Sequence, residues 1–169
     1  MASRANCRSA SATMGRGNGG ALIHFRFSSE PELLCVVRQA MESLAAMLGM
    51  SPSECRSVTL AVDEALTNII RHAYGNRRDG PIEISCRRLH GRAPGNHRTA
   101  LEVLLIDHGC GADPARLRRR TRREPLPCGG LGLQLIRASM DEVEYRRRRG
   151  SNQLRLVKYL KRRPAGKTA

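Results

Sequence analysis

Glu64 and Asn68 are the first residues of the chain whose types and spacing could do chemistry. Residues four apart lie one above the other on a helix, so their side chains are neighbours. A carboxylate can act as a base, and side-chain oxygens of this kind are ligands that magnesium accepts. A polar helix face exposed to solvent would show the same pair, so the pair alone leaves both interpretations open.

Asp107 is the second such residue, because an apolar strand delivers it directly into a turn that contains Gly109 and Gly111. Its carboxylate could accept a hydrogen bond from an exocyclic amine such as that of adenine. The two glycines would let the backbone approach a ligand closely. An ordinary strand that ends in a turn gives a similar pattern.

The third segment is a glycine-rich stretch that opens an apolar helix, and it contains Gly130, Leu131, Gly132 and Leu133. Backbone amides at a helix N-terminus form a natural phosphate site, and glycine removes side chains that would block it. A glycine triplet is a weak signal by itself. The order and spacing of all three segments are a stronger one.

The hydrophobic periodicity predicts the elements that must position these residues. Helices are expected over residues 31–49, 51–74 and 130–140, the second beginning at a capping box formed by Ser51 and Glu54. Strands are expected over residues 21–27, 81–88, 99–107, 143–148 and 153–160. This order predicts an α+β fold, a two-layer α/β sandwich with helices on one face of a mixed, mostly antiparallel sheet.

Composition divides the chain into one domain with two tails. Residues 1–20 are rich in Ser, Ala, Gly, Asn and Arg, which predicts a disordered extension before a domain over 21–162 and a basic tail over 163–169. Residues 109–130 are rich in Gly, Pro and Arg and too long for a passive connection, which predicts a lid.

Charge and cysteine content limit the classes of partner and compartment. The formal net charge of +15 favours an acidic partner or a polyanion, but no nucleic-acid module accompanies it and direct nucleic-acid binding is not expected. The six cysteines form no CxxC pair and are expected to be reduced, mostly as small core residues. No signal peptide and no membrane-spanning run is present in the sequence, which favours a cytoplasmic protein without membrane contact.

The three segments together resemble the GHKL, or Bergerat-fold, ATPases. Within that class the chain is most similar to the anti-sigma-factor serine/threonine kinases, and the resemblance covers about residues 21–162. The strings that carry it are AVDEALTNIIRHAYG at 61–75, GGLGLQLI at 129–136, MDEVEY at 140–145 and NQLRLVKYL at 152–160.

The resemblance implies a role for each residue of the three segments. ATP would lie under the lid, with Asp107 bonded to the adenine and Asn68 ligating a magnesium ion. Glu64 would orient or deprotonate the acceptor hydroxyl. The remaining nucleotide-binding residues would be Gly109, Gly111, Gly130, Leu131, Gly132 and Leu133, with His72 as a structural or nucleotide-side residue.

The resemblance also implies partners. The phosphate acceptor would be a serine or threonine of a STAS-type anti-anti-sigma protein, and a separate surface would hold a sigma factor. A homodimer is expected on the same ground.

Two positions depart from the family pattern and keep other functions open. Cys128 stands where some relatives have an arginine that stabilises the transferred phosphate, a role that the arginines over 118–123 could take. Ser151 and Asn152 stand where many relatives place a threonine near the phosphates. A nucleotide-binding anti-sigma module with little turnover and the ATPase part of a histidine kinase are the alternatives, and a redox role for Cys110 or Cys128 is a further possibility.

Overall fold

The described part of the fold is one antiparallel sheet with three helices. The computed structural model describes residues 11–14, 21–90, 99–111 and 131–161. The strands are β1 (Ser11–Met14), β2 (Ile23–Ser28), β3 (Pro81–His90), β4 (Thr99–Asp107), β5 (Glu142–Arg148) and β6 (Ser151–Tyr159). The helices are α1 (Leu34–Met47), preceded by a 3-10 turn at Pro31–Leu33, α2 (Pro52–Asn68), continued by a π-helical turn at Ile69–Ala73, and α3 (Leu131–Ser139).

The sheet order is β1-β2-β3-β4-β6-β5, and every pairing between the described strands is antiparallel. The predicted α+β class is therefore confirmed, but the expectation of a mixed sheet is wrong for this part of the chain. The reason is the connection between β4 and β5. The chain passes through α3 and returns as β5 at the sheet edge, and β6 then pairs with both β5 and β4.

All three helices lie on one face of the sheet, because alternate strand residues are apolar and buried there. On β4 these residues are Leu101, Val103 and Leu105, each at most 1% exposed. They belong to one core cluster with helix residues such as Met41 and Val62. The sheet and the helix layer thus share a single core, as the sequence predicts.

Helix α2 begins at the predicted capping box, and this box is also tied to the end of the sheet. The hydroxyl of Ser51 accepts from the Glu54 amide at 3.4 Å, and the Ser51 amide donates to Glu54 Oε2 at 2.8 Å. The other oxygen of the buried Glu54 carboxylate accepts from the amide of Lys161 at 3.1 Å. One side chain therefore stabilises the start of a helix and the end of the last strand.

The end of α2 differs from the regular helix that the periodicity predicts. The turn widens after Asn68, and the amide of Tyr74 donates to the carbonyl of Ile69 at 3.0 Å, five residues back. The chain then leaves the helix through Gly75 and Asn76, both at positive φ. Such π-helical turns are frequent at functional sites.

A short strand lies within the segment that the composition assigns to a disordered extension. Ser11–Met14 pairs antiparallel with β2, with Ser11 opposite Arg26 and Met14 opposite Ile23. A backbone ladder needs little from the side chains, and this explains why no hydrophobic pattern announces it. The rest of the predicted extension, residues 1–10 and 15–20, and the predicted basic tail lie outside the described residues.

The described helices include none that is long and apolar enough to span a membrane. Of the four cysteines whose surroundings the structure gives, Cys55 and Cys86 are buried in the core, whereas Cys35 and Cys110 are exposed, and all four are free thiols. The expectation that cysteines are mostly core residues therefore holds for two of these four.

We expect Glu54→Gln to lower the free energy of unfolding by roughly 1–3 kcal/mol at neutral pH, because buried donors lose a charged acceptor. Burial raises the pKa of Glu54, but hydrogen bonds from Ser51 and from the Lys161 amide lower it more, so the net pKa lies below the ordinary value of 4.5. The charged form thus adds stability above that pH, and this contribution is lost as pH falls through the lowered pKa. Denaturant unfolding of the wild-type protein and of Glu54→Gln between neutral and acid pH checks this prediction. The exposed Glu42→Gln variant is the control. A difference from wild type that stays constant as the pH falls would contradict the assignment.

Candidate functional site

Asp107 lies at the end of β4 with a buried side chain, 5% exposed, whose position is fixed by two donors. Its Oδ1 accepts from the amide of Gly109 at 3.0 Å and from Asn152 Nδ2 at 2.7 Å. Among the described residues, no hydrogen bond ends on its Oδ2. A buried carboxylate with one oxygen held by the protein can offer the other to a ligand donor.

The loop after Asp107 is clamped onto the end of the α2 helix. The amide of Cys110 donates to the carbonyl of Ala73 at 2.8 Å, and the amide of His108 donates to the hydroxyl of Tyr74 at 2.9 Å. The Tyr74 hydroxyl in turn donates to the carbonyl of Pro81 at 2.6 Å. The carbonyl of Ala73 belongs to the last helical turn, where carbonyl groups lack partners within the helix, so the loop satisfies it.

Gly109 is required by this clamp. A Cβ built there would lie 2.3 Å from the carbonyl oxygen of Ala73, which is a clash with backbone. The sequence predicts that Gly109 lets the backbone come close to a ligand. In the structure, Gly109 lies close to the backbone of Ala73. Gly111 differs, because its added Cβ would meet the side-chain end of Arg147, at 2.2 Å from Nη1. That end belongs to an exposed arginine and can move away.

Glu64 and Asn68 form the second part of the site, one turn apart on α2 and both half-buried. Gly132 in the first turn of α3 faces them. A Cβ on Gly132 would lie 2.8 Å from Glu64 Oε2 and 3.1 Å from Asn68 Nδ2. The fold therefore brings Gly132 beside the Glu–Asn pair, and the missing side chain leaves these polar groups room.

The two parts of the site lie along one helix. Asn68 and Ala73 are five residues apart, which corresponds to roughly 7 Å at about 1.5 Å per residue. The carboxylate of Asp107 is thus held near the end of the helix, and the Glu–Asn pair with Gly132 lies roughly one and a half to two and a half turns earlier. An elongated ligand could contact both parts.

The remaining predicted site residues have different positions. His72 is exposed on the π-helical turn, and Leu133 is half-buried in α3. Leu131 begins α3, and nothing is described of its side chain, while Gly130 lies outside the described residues. Among the residues that the structure describes, no group of three or more His, Cys, Asp or Glu side chains is able to hold a metal ion.

Sequence reasoning missed three residues at the site, namely Tyr74, Tyr145 and Arg147, and it did not predict the contact between Asn152 and Asp107. Asn152 lies directly opposite Asp107 in the β4–β6 pairing, and Arg147 lies opposite Asn152 in the β5–β6 pairing. The strands β4 and β6 are not consecutive, so local sequence patterns do not indicate this register. The sequence does show Asn152 at a position where many relatives place a threonine near the phosphates. In the structure, the Asn152 side chain contacts Asp107.

Residues 27–158 match the family described as the histidine kinase-like ATPase domain. The chain belongs to this family. This ATPase domain is 30% identical over 129 residues to the serine-protein kinase RsbW of Oceanobacillus iheyensis, a match that covers 72% of this chain and 77% of that protein. It is 29% identical over 148 residues to the RsbW of Bacillus thuringiensis strain Al Hakam, covering 83% of this chain and 86% of that protein. The name of these relatives agrees with the kinase function that the sequence predicts.

The fold of this ATPase domain is also found in a solved structure. The crystal structure of the RsbU and RsbW domains of a Mycobacterium tuberculosis protein superposes with a TM-score of 0.56 at 18% identity. The match covers 83% of this chain and 32% of that chain, so this ATPase domain spans about a third of the length of the solved protein. At this identity the likeness supports the fold, and the predicted GHKL class is confirmed.

We predict opposite outcomes for the two glycines after Asp107. Gly109→Ala should lower the free energy of unfolding by roughly 1–3 kcal/mol, because the added methyl group forces backbone apart. Gly111→Ala is the matched control, because its methyl group meets a movable side chain and should cost much less. Thermal unfolding of the two variants measures the difference. Equal melting temperatures would contradict the described clamp.

Gly132→Ala should act on the Glu–Asn pair more than on the fold. The added methyl group displaces flexible side-chain ends, so we expect a small change in melting temperature but a clear loss of ATP affinity or turnover. Calorimetric ATP titration of Gly132→Ala, with the exposed Ala138→Gly on the same helix as a control for helix propensity, tests this. Wild-type affinity and turnover in Gly132→Ala would argue against a role of this contact.

Proposed function

We propose that this ATPase domain is an anti-sigma-factor kinase that transfers the γ-phosphate of ATP to a serine or threonine of an anti-anti-sigma protein. The observation that carries the proposal is the placement of Gly132 against Glu64 and Asn68, with the buried Asp107 held at the end of the same helix. The names of the similar relatives support the reaction class.

The nucleotide base would bind at Asp107. Gly109 and Asn152 donate to Oδ1, so Oδ2 can accept a hydrogen bond from a ligand. The exocyclic amine of adenine is a matching donor. The phosphates would extend along α2 towards the first turn of α3, where backbone amides and the helix dipole favour negative charge. Gly132 keeps that approach free of a side chain.

The donor set on α2 fits magnesium. This ion prefers oxygen ligands and is usually held by one or two protein groups together with substrate phosphates. Asn68 would be its protein ligand, and the bound ion would neutralise charge on the phosphates. Both amide atoms of Asn68 lie close to Gly132 in the first turn of α3, next to the proposed phosphate position.

Glu64 is one helical turn from Asn68 and would act on the acceptor hydroxyl. Its carboxylate accepts the proton of the serine or threonine as the hydroxyl oxygen forms its bond to the γ-phosphorus. The bond between that phosphorus and the β–γ bridging oxygen breaks, and ADP leaves with the electron pair. The protein contributes mainly orientation and charge to such a transfer, so a small set of residues is sufficient.

The partners belong to the same proposal. We infer a STAS-type anti-anti-sigma protein as the phosphate acceptor, a sigma factor bound at a separate surface, and a homodimer in the cytoplasm. The net charge of +15 supports a partner with an acidic surface, because long-range attraction raises the rate of encounter. Phosphorylation of the anti-anti-sigma protein would then determine whether the kinase binds that protein or the sigma factor.

Glu64→Gln should separate binding from transfer. It keeps the size and the hydrogen-bonding ability of the side chain, so Mg-ATP affinity should stay near wild type while the transfer rate falls about 10²–10⁴-fold. Asp107→Asn should instead lose ATP affinity, because an amide can present a donor to the adenine amine. Calorimetry and single-turnover phosphate transfer to candidate anti-anti-sigma proteins measure the two effects.

The control is Asp79→Asn, whose side chain is 67% exposed and pairs with Arg77. It should bind and transfer like wild type. ATP binding without transfer by wild type, together with retained sigma-factor binding, would favour a nucleotide-binding anti-sigma module. No ATP binding at all would overturn the proposed function.

A further inference from the structure

A relay of side-chain hydrogen bonds runs from the half-buried Tyr145 on β5 through the buried Asn152 on β6 to the carboxylate of Asp107. The hydroxyl of Tyr145 donates to Asn152 Oδ1 at 2.9 Å, and Asn152 Nδ2 donates to Asp107 Oδ1 at 2.7 Å. We propose that Asn152 is a positioning residue that fixes Asp107 as an acceptor and thereby selects purines with an amine at the 6-position. This inference rests on the proposed function, because it assumes that Asp107 meets the base.

The orientation of the Asn152 amide is determined by its surroundings. The side chain is 3% exposed, and its oxygen accepts from a phenolic hydroxyl. Its nitrogen donates both to Asp107 Oδ1 and, at 3.2 Å, to the carbonyl of Gly109. The reversed amide would place an oxygen against two acceptors, so only the described orientation satisfies all the groups.

The sheet register holds Asn152 at this place. Asp107 and Asn152 are directly opposite each other in adjacent antiparallel strands, where Cβ atoms lie about 4.5–5.5 Å apart. Their side chains therefore stand on the same face of the sheet, the face that the helices cover. A short amide at this position reaches the carboxylate without displacing the backbone.

The relay decides what Asp107 can present to a ligand. Gly109 and Asn152 both donate to Oδ1, so these two hydrogen bonds occupy that oxygen and fix the orientation of the side chain. Oδ2 is then directed to the ligand as an acceptor. The 6-amino group of adenine is a donor that satisfies it, whereas the 6-oxo group of hypoxanthine would place an acceptor against an acceptor.

The contacts of Asn152 show what an amide can do at a position where the resemblance places a threonine. The resemblance places a threonine near this turn in many relatives, and threonine has one short hydroxyl. The amide here has two donors and reaches both the carboxylate and the loop carbonyl of Gly109. The base end of the site is thus fixed by a direct contact between two side chains.

The experiment compares ATP with inosine triphosphate, which carries a 6-oxo group, on the whole chain by calorimetry. The variants are Asn152→Val and Asn152→Thr, which have nearly the same shape but differ in the hydroxyl donor. We expect the ratio of ATP affinity to inosine triphosphate affinity to fall about tenfold in Asn152→Val, in line with the loss of one buried hydrogen bond. Asn152→Thr should regain part of the ratio.

Each outcome bears on the inference. A role confined to stability would weaken both nucleotides equally, so an unchanged ratio in Asn152→Val overturns it, as do equal ratios in Val and Thr. Wild type that binds both nucleotides equally well also overturns it, while the proposed function stands. If wild type binds neither nucleotide, the proposed function fails and this inference with it.

Tyr145→Phe provides a second test if Asn152→Val does not fold, which thermal unfolding will reveal. Loss of the hydroxyl removes the hydrogen bond on Asn152 Oδ1, so the amide is held less firmly against Asp107 and the affinity ratio should fall, although less than in the Val variant. A wild-type ratio in Tyr145→Phe would contradict the relay.

Discussion

The contact between the loop after β4 and the last turn of the α2 helix is the constraint on which the rest of the site depends. Two backbone amides of the loop bind groups at the helix end, the carbonyl of Ala73 and the hydroxyl of Tyr74. The loop carries the Asp107 end of the site, and the helix carries Glu64 and Asn68. Because the loop cannot move without breaking these two hydrogen bonds, the two ends keep a fixed separation.

The wide turn at Ile69–Ala73 is part of the same constraint. A regular α-helix would place Tyr74 at a different angle and a different height, since a π-helical turn inserts one residue. The ring of Tyr74 lies against Gly80, where an added Cβ would be 2.5 Å from the ring, and burial raises the pKa of its hydroxyl. The hydroxyl therefore stays protonated and can donate to Pro81 while it accepts from His108.

Much of the fold could be predicted from the sequence because its signals are local. The capping box at Ser51, the apolar stripe of α2 and the bounds of β4 follow from neighbouring residues. The Glu64–Asn68 pair and Gly132 could be named because helical spacing and glycine content are visible along the chain. The roles assigned to these residues come from the resemblance to a family and remain predictions.

The missed features depend on non-local pairing. Asn152 meets Asp107 only because β6, and not β5, lies next to β4, and the chain order does not reveal that. The contact between Gly109 and Ala73 is also non-local, because the carbonyl that requires the glycine lies 36 residues earlier in the chain. The π-helical turn was missed because a helix with one extra residue keeps nearly the same apolar pattern.

The short strand β1 changes which backbone groups of the sheet face solvent. Because β1 (Ser11–Met14) pairs with β2, β2 is an interior strand of the sheet. The edge strand on that side is β1, which has four residues. Short edge strands are one way in which proteins discourage intermolecular pairing. A chain trimmed at residue 20, where its composition suggests that the domain begins, would leave the six-residue β2 with an open row of amide and carbonyl groups. By pairing with β2, the N-terminal segment covers a longer strand whose free edge would be open to pairing with a second sheet.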